Sequence, residues 1–176
     1  MTHEIIFAGF GGQGILFAGK VVAYAGMNEG KNVSHLPSYG PEMRGGTASC
    51  SVIVSDDDVA SPIIPEPGVL VVMNAPSLDK FEKSVLPGGK IIMDSSLISR
   101  KCERDDVDAF AIPATQMAND MGLPKLANMI MVGKLVKETQ MITWDQLETA
   151  VSKLVPAGKP ELLENNMKAI KAGFDY

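Results

Sequence analysis

The chain has 176 residues, of which 45% are hydrophobic and 21% are charged, and this composition indicates one globular domain over residues 1–176. Its formal net charge of -5 argues against a nucleic-acid-binding or membrane-surface role, since both favour basic patches. The chain contains only two cysteines, Cys50 and Cys102, which are too few for a disulfide scaffold or a four-thiolate iron–sulfur cluster.

Strands and helices are predicted to alternate along the first 113 residues. The continuous apolar runs at 69–74 and 89–95 are typical of buried parallel strands. A helix is predicted over residues 13–29, where Lys20 is the only charged residue before Glu29. Strands are expected where short apolar runs are bounded by turn residues, at 4–8, 31–36, 47–55, 69–74, 89–95 and 107–113.

After Pro113 the chain is predicted to be helical to its end. Thr143 and Gln146 match a capping box that would open one helix, and Pro160 suits the first turn of the last helix. The order of elements predicts an α/β fold: a Rossmann-like, open and mostly parallel sheet flanked by helices, with a helical C-terminal portion.

The sequence "GFGGQG", residues 9–14, follows the first predicted strand and matches the pattern G-x-G-x-x-G. Between a strand and a helix, such glycines let backbone N–H groups and the helix N-terminus face a phosphate. The alternative is packing, in which glycines and small residues such as Ala18, Gly19 and Ala23 let the helix lie close to the sheet. The residues themselves leave both interpretations open.

One part of the dinucleotide-binding pattern is missing. That pattern places an Asp or Glu about 20 residues after the glycines, at the end of the second strand, where it binds the ribose. This sequence has Val33, Ser34, His35 and Leu36 there, and its next acidic residue is Glu42. A phosphate-bearing ligand therefore remains a hypothesis, whereas NAD is disfavoured.

A second loop, "SYGPEMRGGTASC" at residues 38–50, places Arg44 directly before two glycines. A guanidinium in this loop could bind a phosphate or a carboxylate through a two-pronged contact. An ion pair between Arg44 and Glu42, or a contact at a protein interface, explains the same residue without a ligand.

Taken together, these stretches resemble the gamma subunit of 2-oxoacid:ferredoxin (acceptor) oxidoreductases. The resemblance is carried by "FAGFGGQGILFAGKVVAYA", "LPSYGPEMRGGTASCSVIVSD", "VMNAPSLDKF" and "NMIMVGKLV", in that order, and covers most of the chain. The sequence "SYGPEMRGG" resembles the 2-oxoglutarate branch of the family more than the pyruvate branch.

The resemblance implies a division of labour among subunits. Enzymes of this family decarboxylate a 2-oxoacid on thiamine diphosphate with Mg²⁺, pass electrons to ferredoxin through iron–sulfur clusters, and transfer the acyl group to coenzyme A. The gamma subunit is implied to be non-catalytic and inactive alone, with a role around the coenzyme A step. Its implied partners are alpha and beta subunits, with a delta subunit in some complexes, and ferredoxin through the complex. Without these partners, the isolated chain could form a homodimer.

The resemblance also implies which residues contact a ligand, although no cofactor is expected to be bound by this chain alone. The matching positions of the two loops are Gly9, Gly11, Gly12, Gln13, Gly14, Arg44, Gly45, Gly46 and Thr47.

No catalytic residue and no metal ligand is predicted in the chain. His3 and His35 lack ligand spacing, and no nucleophile-elbow pattern occurs. Asn74 and Ser95 follow predicted strands, where open α/β sheets bind ligands, but capping of the next helices explains them better. The glycines come too early for a signal peptide, and no apolar run of about 18 residues follows, so a cytoplasmic location without a membrane partner is expected.

Three interpretations of the function follow from the sequence. The first is a subunit of a 2-oxoacid oxidoreductase. The second is a self-sufficient nucleotide-binding oxidoreductase of the Rossmann type, and the third is a structural module without a ligand.

Overall fold

In the computed structural model, which describes residues 1–38 and 47–176, six strands form one sheet. Every predicted strand is present, with each end within two residues of its predicted position. The strands are β1 (Thr2–Phe10), β2 (Asn32–Ser38), β3 (Thr47–Ser55), β4 (Val69–Val72), β5 (Lys90–Asp94) and β6 (Asp108–Ile112).

The strands lie in the order β2-β3-β1-β4-β5-β6. β4 is parallel to β1 and β5, and β6 is parallel to β5, whereas β3 is antiparallel to both β1 and β2. Five of the six strands therefore run in one direction, which confirms the predicted mostly parallel sheet. Because β3 separates β2 from β1, the end of β2 lies two strand spacings, about 10 Å, from β1.

The helical C-terminal portion is also confirmed. Four of the helices follow Pro113, and the last begins at Pro160 as its N-terminal proline predicts. None of the helices among the described residues is long and apolar enough to cross a bilayer. The helices are α1 (Ile15–Asn28), α2 (Ala75–Phe81), α3 (Ala114–Asp120), α4 (Ala127–Thr139), α5 (Trp144–Leu154) and α6 (Pro160–Asp175).

Two hydrophobic cores cover the two faces of the sheet. Ile5 and Phe7 of β1 pack into the core that contains α1 and the C-terminal helices, whereas Ile6 and Ala8 pack into the core that contains Leu78 of α2. The chain thus passes to one face after β1 and to the other face after β4. In an open α/β sheet, this change of face between neighbouring parallel strands creates a crevice at their carboxyl ends.

The small residues of α1 let it lie directly on β3. A Cβ atom at Gly19 would come within 2.7 Å of the Cys50 Sγ, and one at Gly26 within 2.8 Å of a Val54 methyl carbon. The packing interpretation is therefore correct for these two helical glycines, which lie beyond the 9–14 motif.

The capping box predicted at the start of α5 is wrong in its contacts. Thr143 precedes the helix as expected, but its side chain makes no capping hydrogen bond. Instead, the backbone N–H of Thr143 donates to the Glu29 Oε1 at 2.5 Å. Glu29 follows α1, which packs against α5, so a carboxylate from another helix takes the place that Gln146 would have in a capping box.

Candidate functional site

The glycine loop, residues 9–14, comprises the last two residues of β1 and the turn that leads into α1, at the carboxyl edge of the sheet. Gly12 has a φ of 91° and Gly14 a φ of 74°, a left-handed conformation that other residues adopt at a cost of roughly 1–2 kcal/mol. Gly11 and Gly12 are exposed. These two positive φ angles give the physical reason for glycine at positions 12 and 14.

Gln13 ties the glycine loop to the neighbouring strand. Its side-chain Oε1 accepts a hydrogen bond from the Phe10 N–H at 2.6 Å, and its Nε2 donates to the Met73 carbonyl at 3.0 Å. A Cβ atom at Gly9 would come within 2.5 Å of the Gln13 Oε1, so glycine at position 9 makes room for this side chain. Gly9 and Gln13 thus support the shape of the loop, with both ends of the Gln13 amide used inside the protein.

The N-terminus of α1 carries no capping side chain and no acidic residue in its first turn. The first-turn N–H groups of a helix have no partner within that helix, and the aligned peptide dipoles give this end a partial positive charge. A cavity of about 310 Å³ opens beside it and is lined by Phe10, Gly11, Gly12, Gly14, Ile15, Leu16, Phe17 and Ala48. The arrangement can accept an anion through backbone amides.

The start of β3 lies next to the glycine loop. Thr47 pairs with Phe10 and Ala48 with Gly9 in the antiparallel ladder, so the half-buried Thr47 lies at this edge. The other predicted residues of the second loop, Arg44, Gly45 and Gly46, lie outside the described residues.

Asn74 serves as a helix cap, as the sequence predicts. Its Oδ1 accepts a hydrogen bond from the Ser77 N–H at 2.8 Å at the start of α2. The predicted cap at Ser95 is wrong, because the exposed Ser95 lies beside two residues that bind the start of α3 instead. Asp94 accepts a hydrogen bond from the Thr115 hydroxyl at 2.5 Å, and the Ser96 Oγ accepts one from the Gln116 N–H at 3.0 Å.

Burial shifts the pKa of two groups, His35 on β2 and Cys50 on β3, in the direction that favours the neutral form. Burial is the main cause that lowers the pKa of His35 on β2. Burial raises the pKa of the Cys50 thiol to about 12. Within the two described ranges, no group of three His, Cys, Asp or Glu residues is arranged to hold a metal ion.

Asn128 is a contributor to the site that the sequence does not reveal. It lies in the first turn of α4, is 4% exposed, and donates a hydrogen bond from Nδ2 to the Gly14 carbonyl at 3.0 Å. The available signal is its position as the polar residue that opens the stretch "NMIMVGKLV". No local pattern pairs that stretch with a glycine loop more than 100 residues away.

Comparisons with known proteins agree with this fold. The model of the family described as pyruvate ferredoxin/flavodoxin oxidoreductase matches residues 4–176. A ketoisovalerate oxidoreductase subunit from Methanothermobacter thermautotrophicus is 38% identical over 98% of this chain, which spans only 36% of that relative's length. A 2-oxoglutarate synthase subunit from Methanocaldococcus jannaschii is 34% identical, and the match covers 99% of this chain and 94% of that relative.

Two solved structures share the fold. The gamma subunit of a keto/oxoacid ferredoxin oxidoreductase from Geobacter sulfurreducens superposes with a TM-score of 0.85 at 31% identity, over 98% of this chain and 96% of that one. The 2-oxoglutarate:ferredoxin oxidoreductase from Magnetococcus marinus, solved with 2-oxoglutarate, coenzyme A and succinyl-CoA bound, gives a TM-score of 0.88 at 26% identity. That match covers 98% of this chain and 30% of the longer one.

Proposed function

Since the chain belongs to the pyruvate ferredoxin/flavodoxin oxidoreductase family, we propose that it is the gamma-type subunit of a 2-oxoacid oxidoreductase and that its glycine loop binds a phosphate of coenzyme A. The observation that carries this proposal is the uncapped N-terminus of α1, which opens beside two exposed glycines onto a cavity of about 310 Å³. Backbone amides at a helix N-terminus are a common phosphate-binding arrangement.

The residues present fit a phosphate. The first turn of α1 has no acidic side chain that would repel an anion, and the exposed Gly11 and Gly12 have no side chains to block its approach. Thr47 and the start of β3 border the same loop, so the second loop is joined to this edge. Coenzyme A bound here would supply the thiol that takes up the acyl group, and the chain's own part is to hold its phosphate end.

The position of β2 disfavours the alternative of a self-sufficient NAD-dependent oxidoreductase. In the dinucleotide fold, the strand that carries the ribose-binding acid lies next to β1. Here the antiparallel β3 occupies that place, and the β2 residues Ser34, His35 and Leu36 are not acidic. A ribose on the glycine loop would therefore lack its usual carboxylate partner.

The proposal assigns the remaining chemistry to partner subunits. Thiamine diphosphate with Mg²⁺ and the iron–sulfur clusters would lie on those subunits, because two cysteines cannot supply four thiolates. This chain would then contribute no catalytic residue, would be inactive alone, and would meet ferredoxin only through the complex. This chain corresponds to only 36% of a longer ketoisovalerate oxidoreductase subunit, which supports a partner chain that corresponds to the rest of that subunit.

We propose 2-oxoglutarate as the substrate of the complex. The sequence of the second loop and the 34% identity to a 2-oxoglutarate synthase subunit support this choice. Ketoisovalerate is the second candidate, because a ketoisovalerate oxidoreductase subunit is 38% identical to the chain.

The proposed function can be tested by purifying the tagged chain anaerobically from its native cells. We expect thiamine-binding and cysteine-rich subunits to co-purify, with dye reduction that requires coenzyme A and is faster with 2-oxoglutarate than with ketoisovalerate or pyruvate. Faster reduction with ketoisovalerate would reverse the choice of substrate. A chain that purifies alone and binds NADH would contradict the subunit proposal.

The proposed phosphate site can be tested with Gly12→Ala in the same complex. Gly30 is a matched control, because its φ of 76° is also left-handed and no atom lies within 4 Å of a Cβ built there. It follows the C-terminal end of α1, whereas the glycine loop precedes the N-terminal end. Both alanines should lower the unfolding free energy by about 1–2 kcal/mol. Only Gly12→Ala should raise the KM for coenzyme A, by about tenfold. Equal KM values in the two variants would place the phosphate elsewhere.

A further inference from the structure

Asn128 holds the carbonyl group at the point where the glycine loop becomes α1. The Gly14 carbonyl accepts two hydrogen bonds, one from the Ala18 N–H at 2.9 Å and one from the Asn128 Nδ2 at 3.0 Å. The first is the ordinary first bond of the helix. The second comes from α4, which lies far away in the chain.

This contact has a directional consequence for the site. The peptide unit between Gly14 and Ile15 is planar and trans, so its C=O and N–H point in opposite directions. Holding the Gly14 carbonyl therefore also fixes the direction of the Ile15 N–H. That amide belongs to the first turn of α1, whose residues line the cavity beside the glycine loop.

The two ends of the glycine loop are held by two different amide side chains. Gln13 joins Phe10 at the β1 end to the Met73 carbonyl after β4, and Asn128 joins Gly14 at the α1 end to α4. A Cβ atom at position 14 would overlap the Asn128 Nδ2, so glycine there permits this close contact. The buried Asn128 Oδ1 has no hydrogen-bond partner among the described residues. The side-chain amide of Asn128 therefore bonds to the Gly14 carbonyl through its Nδ2 alone.

The helix that carries Asn128 is itself held firmly. Gly133 of α4 and Gly173 of α6 lie where the two helices cross, and each faces backbone atoms of the other helix. A contact between backbones leaves little room for α4 to shift. Asn128 is therefore presented to the loop from a fixed support.

We infer that Asn128 is a positioning residue for ligand binding at the glycine loop: it orients the first-turn amides of α1 through the Gly14 carbonyl. The inference rests on the proposed function, since coenzyme A is the ligand whose phosphate those amides would bind. The side chain itself touches the peptide backbone, and its effect on the ligand passes through that backbone.

The test is Asn128→Ala in the purified complex, with Asn166→Ala as a matched control. Asn166 is 5% exposed, donates its Nδ2 to a backbone carbonyl, that of Leu162, and has an unpartnered Oδ1, but it lies in α6 away from the glycine loop. Both variants should lower the melting temperature by similar amounts. Only Asn128→Ala should raise the KM for coenzyme A, by about tenfold, with kcat changed less than about twofold.

A second variant, Asn128→Asp, keeps the size of the side chain but replaces the donor by an oxygen that repels the Gly14 carbonyl. It should raise the KM for coenzyme A at least as much as the alanine does. Unchanged KM values in both Asn128 variants, or an equal rise in Asn166→Ala, would overturn the inference. If Gly12→Ala raises the KM and the Asn128 variants do not, this inference alone fails; if none of them raises it, the proposed phosphate site fails.

Discussion

Glu82 is the buried carboxylate that organises the connection between β5 and β6. It is 3% exposed, and its carboxylate accepts hydrogen bonds from Arg100 at 2.9 Å and from the Glu103 N–H at 2.7 Å. Burial alone would raise the pKa of Glu82, but these hydrogen bonds outweigh it and hold the pKa below its usual value. The folded chain therefore favours the ionised form of this group.

The lowered pKa predicts a pH dependence of stability. Because the folded chain holds the charged form more tightly than the unfolded chain does, Glu82 stabilises the fold above pH 4.5 and loses this effect as the pH falls below that value. Glu82→Gln should lower the unfolding free energy at pH 7 by about 1–3 kcal/mol. Urea titrations at pH 3–4 should show a smaller difference in unfolding free energy between Glu82→Gln and the parent chain.

Asp79 supplies the control for this prediction. It also bonds to Arg100, at 2.8 Å, but its side chain is 64% exposed. Asp79→Asn should therefore cost less than about 1 kcal/mol. A cost equal to that of Glu82→Gln, or a gap that does not change with pH, would contradict the assigned role of Glu82.

At the scale of elements, the crossing of α4 and α6 is controlled by two glycines. Cβ atoms at Gly133 and Gly173 would overlap the carbonyl oxygens of Ile170 and Ile130, respectively. Backbone atoms cannot rotate away as a flexible side chain can. The close approach of these two helices therefore depends on the absence of side chains at both positions.

This geometry predicts that Gly133→Ala forces α4 and α6 apart. The expected loss of unfolding free energy is about 1–3 kcal/mol or more, typical of an overpacked core, and urea denaturation measures it. Gly68→Ala is the control, because the nearest atom to a Cβ there is the Glu4 carbonyl oxygen at an ordinary 3.8 Å. Equal stability of the two variants would show that the helices can separate at little cost.

A second element-scale feature is the start of α5. The sequence correctly predicts where this helix begins, but its backbone N–H group at Thr143 is bound by Glu29 from the end of α1. A capping box is a local pattern, and the structure replaces it by a contact between residues that are 114 positions apart. Packing of α5 on α1 brings the two groups together, which a local pattern cannot predict.

At the scale of the whole molecule, the order of strands decides which chain segments lie beside the glycine loop. The antiparallel β3 lies between β1 and β2, so Thr47 at the start of β3 lies beside the glycine loop while the end of β2 is separated from β1 by one strand. The same six strands in the dinucleotide-binding order would place β2 next to β1. The glycine loop therefore lacks the neighbouring strand that would carry the ribose-binding acid in a complete NAD site.

The sequence by itself determined the six strands, the positions of α1, α5 and α6, the glycine loop and the family resemblance. Apart from the resemblance, which covers most of the chain, these features are local, because apolar runs, turn residues and a glycine motif act over a few neighbouring residues. Only the tertiary structure decided the insertion of β3, the contact of Asn128 with Gly14 and the cap from Glu29 to Thr143. Each of these joins segments far apart in the chain, and packing of the two cores, which no local pattern encodes, brings them together.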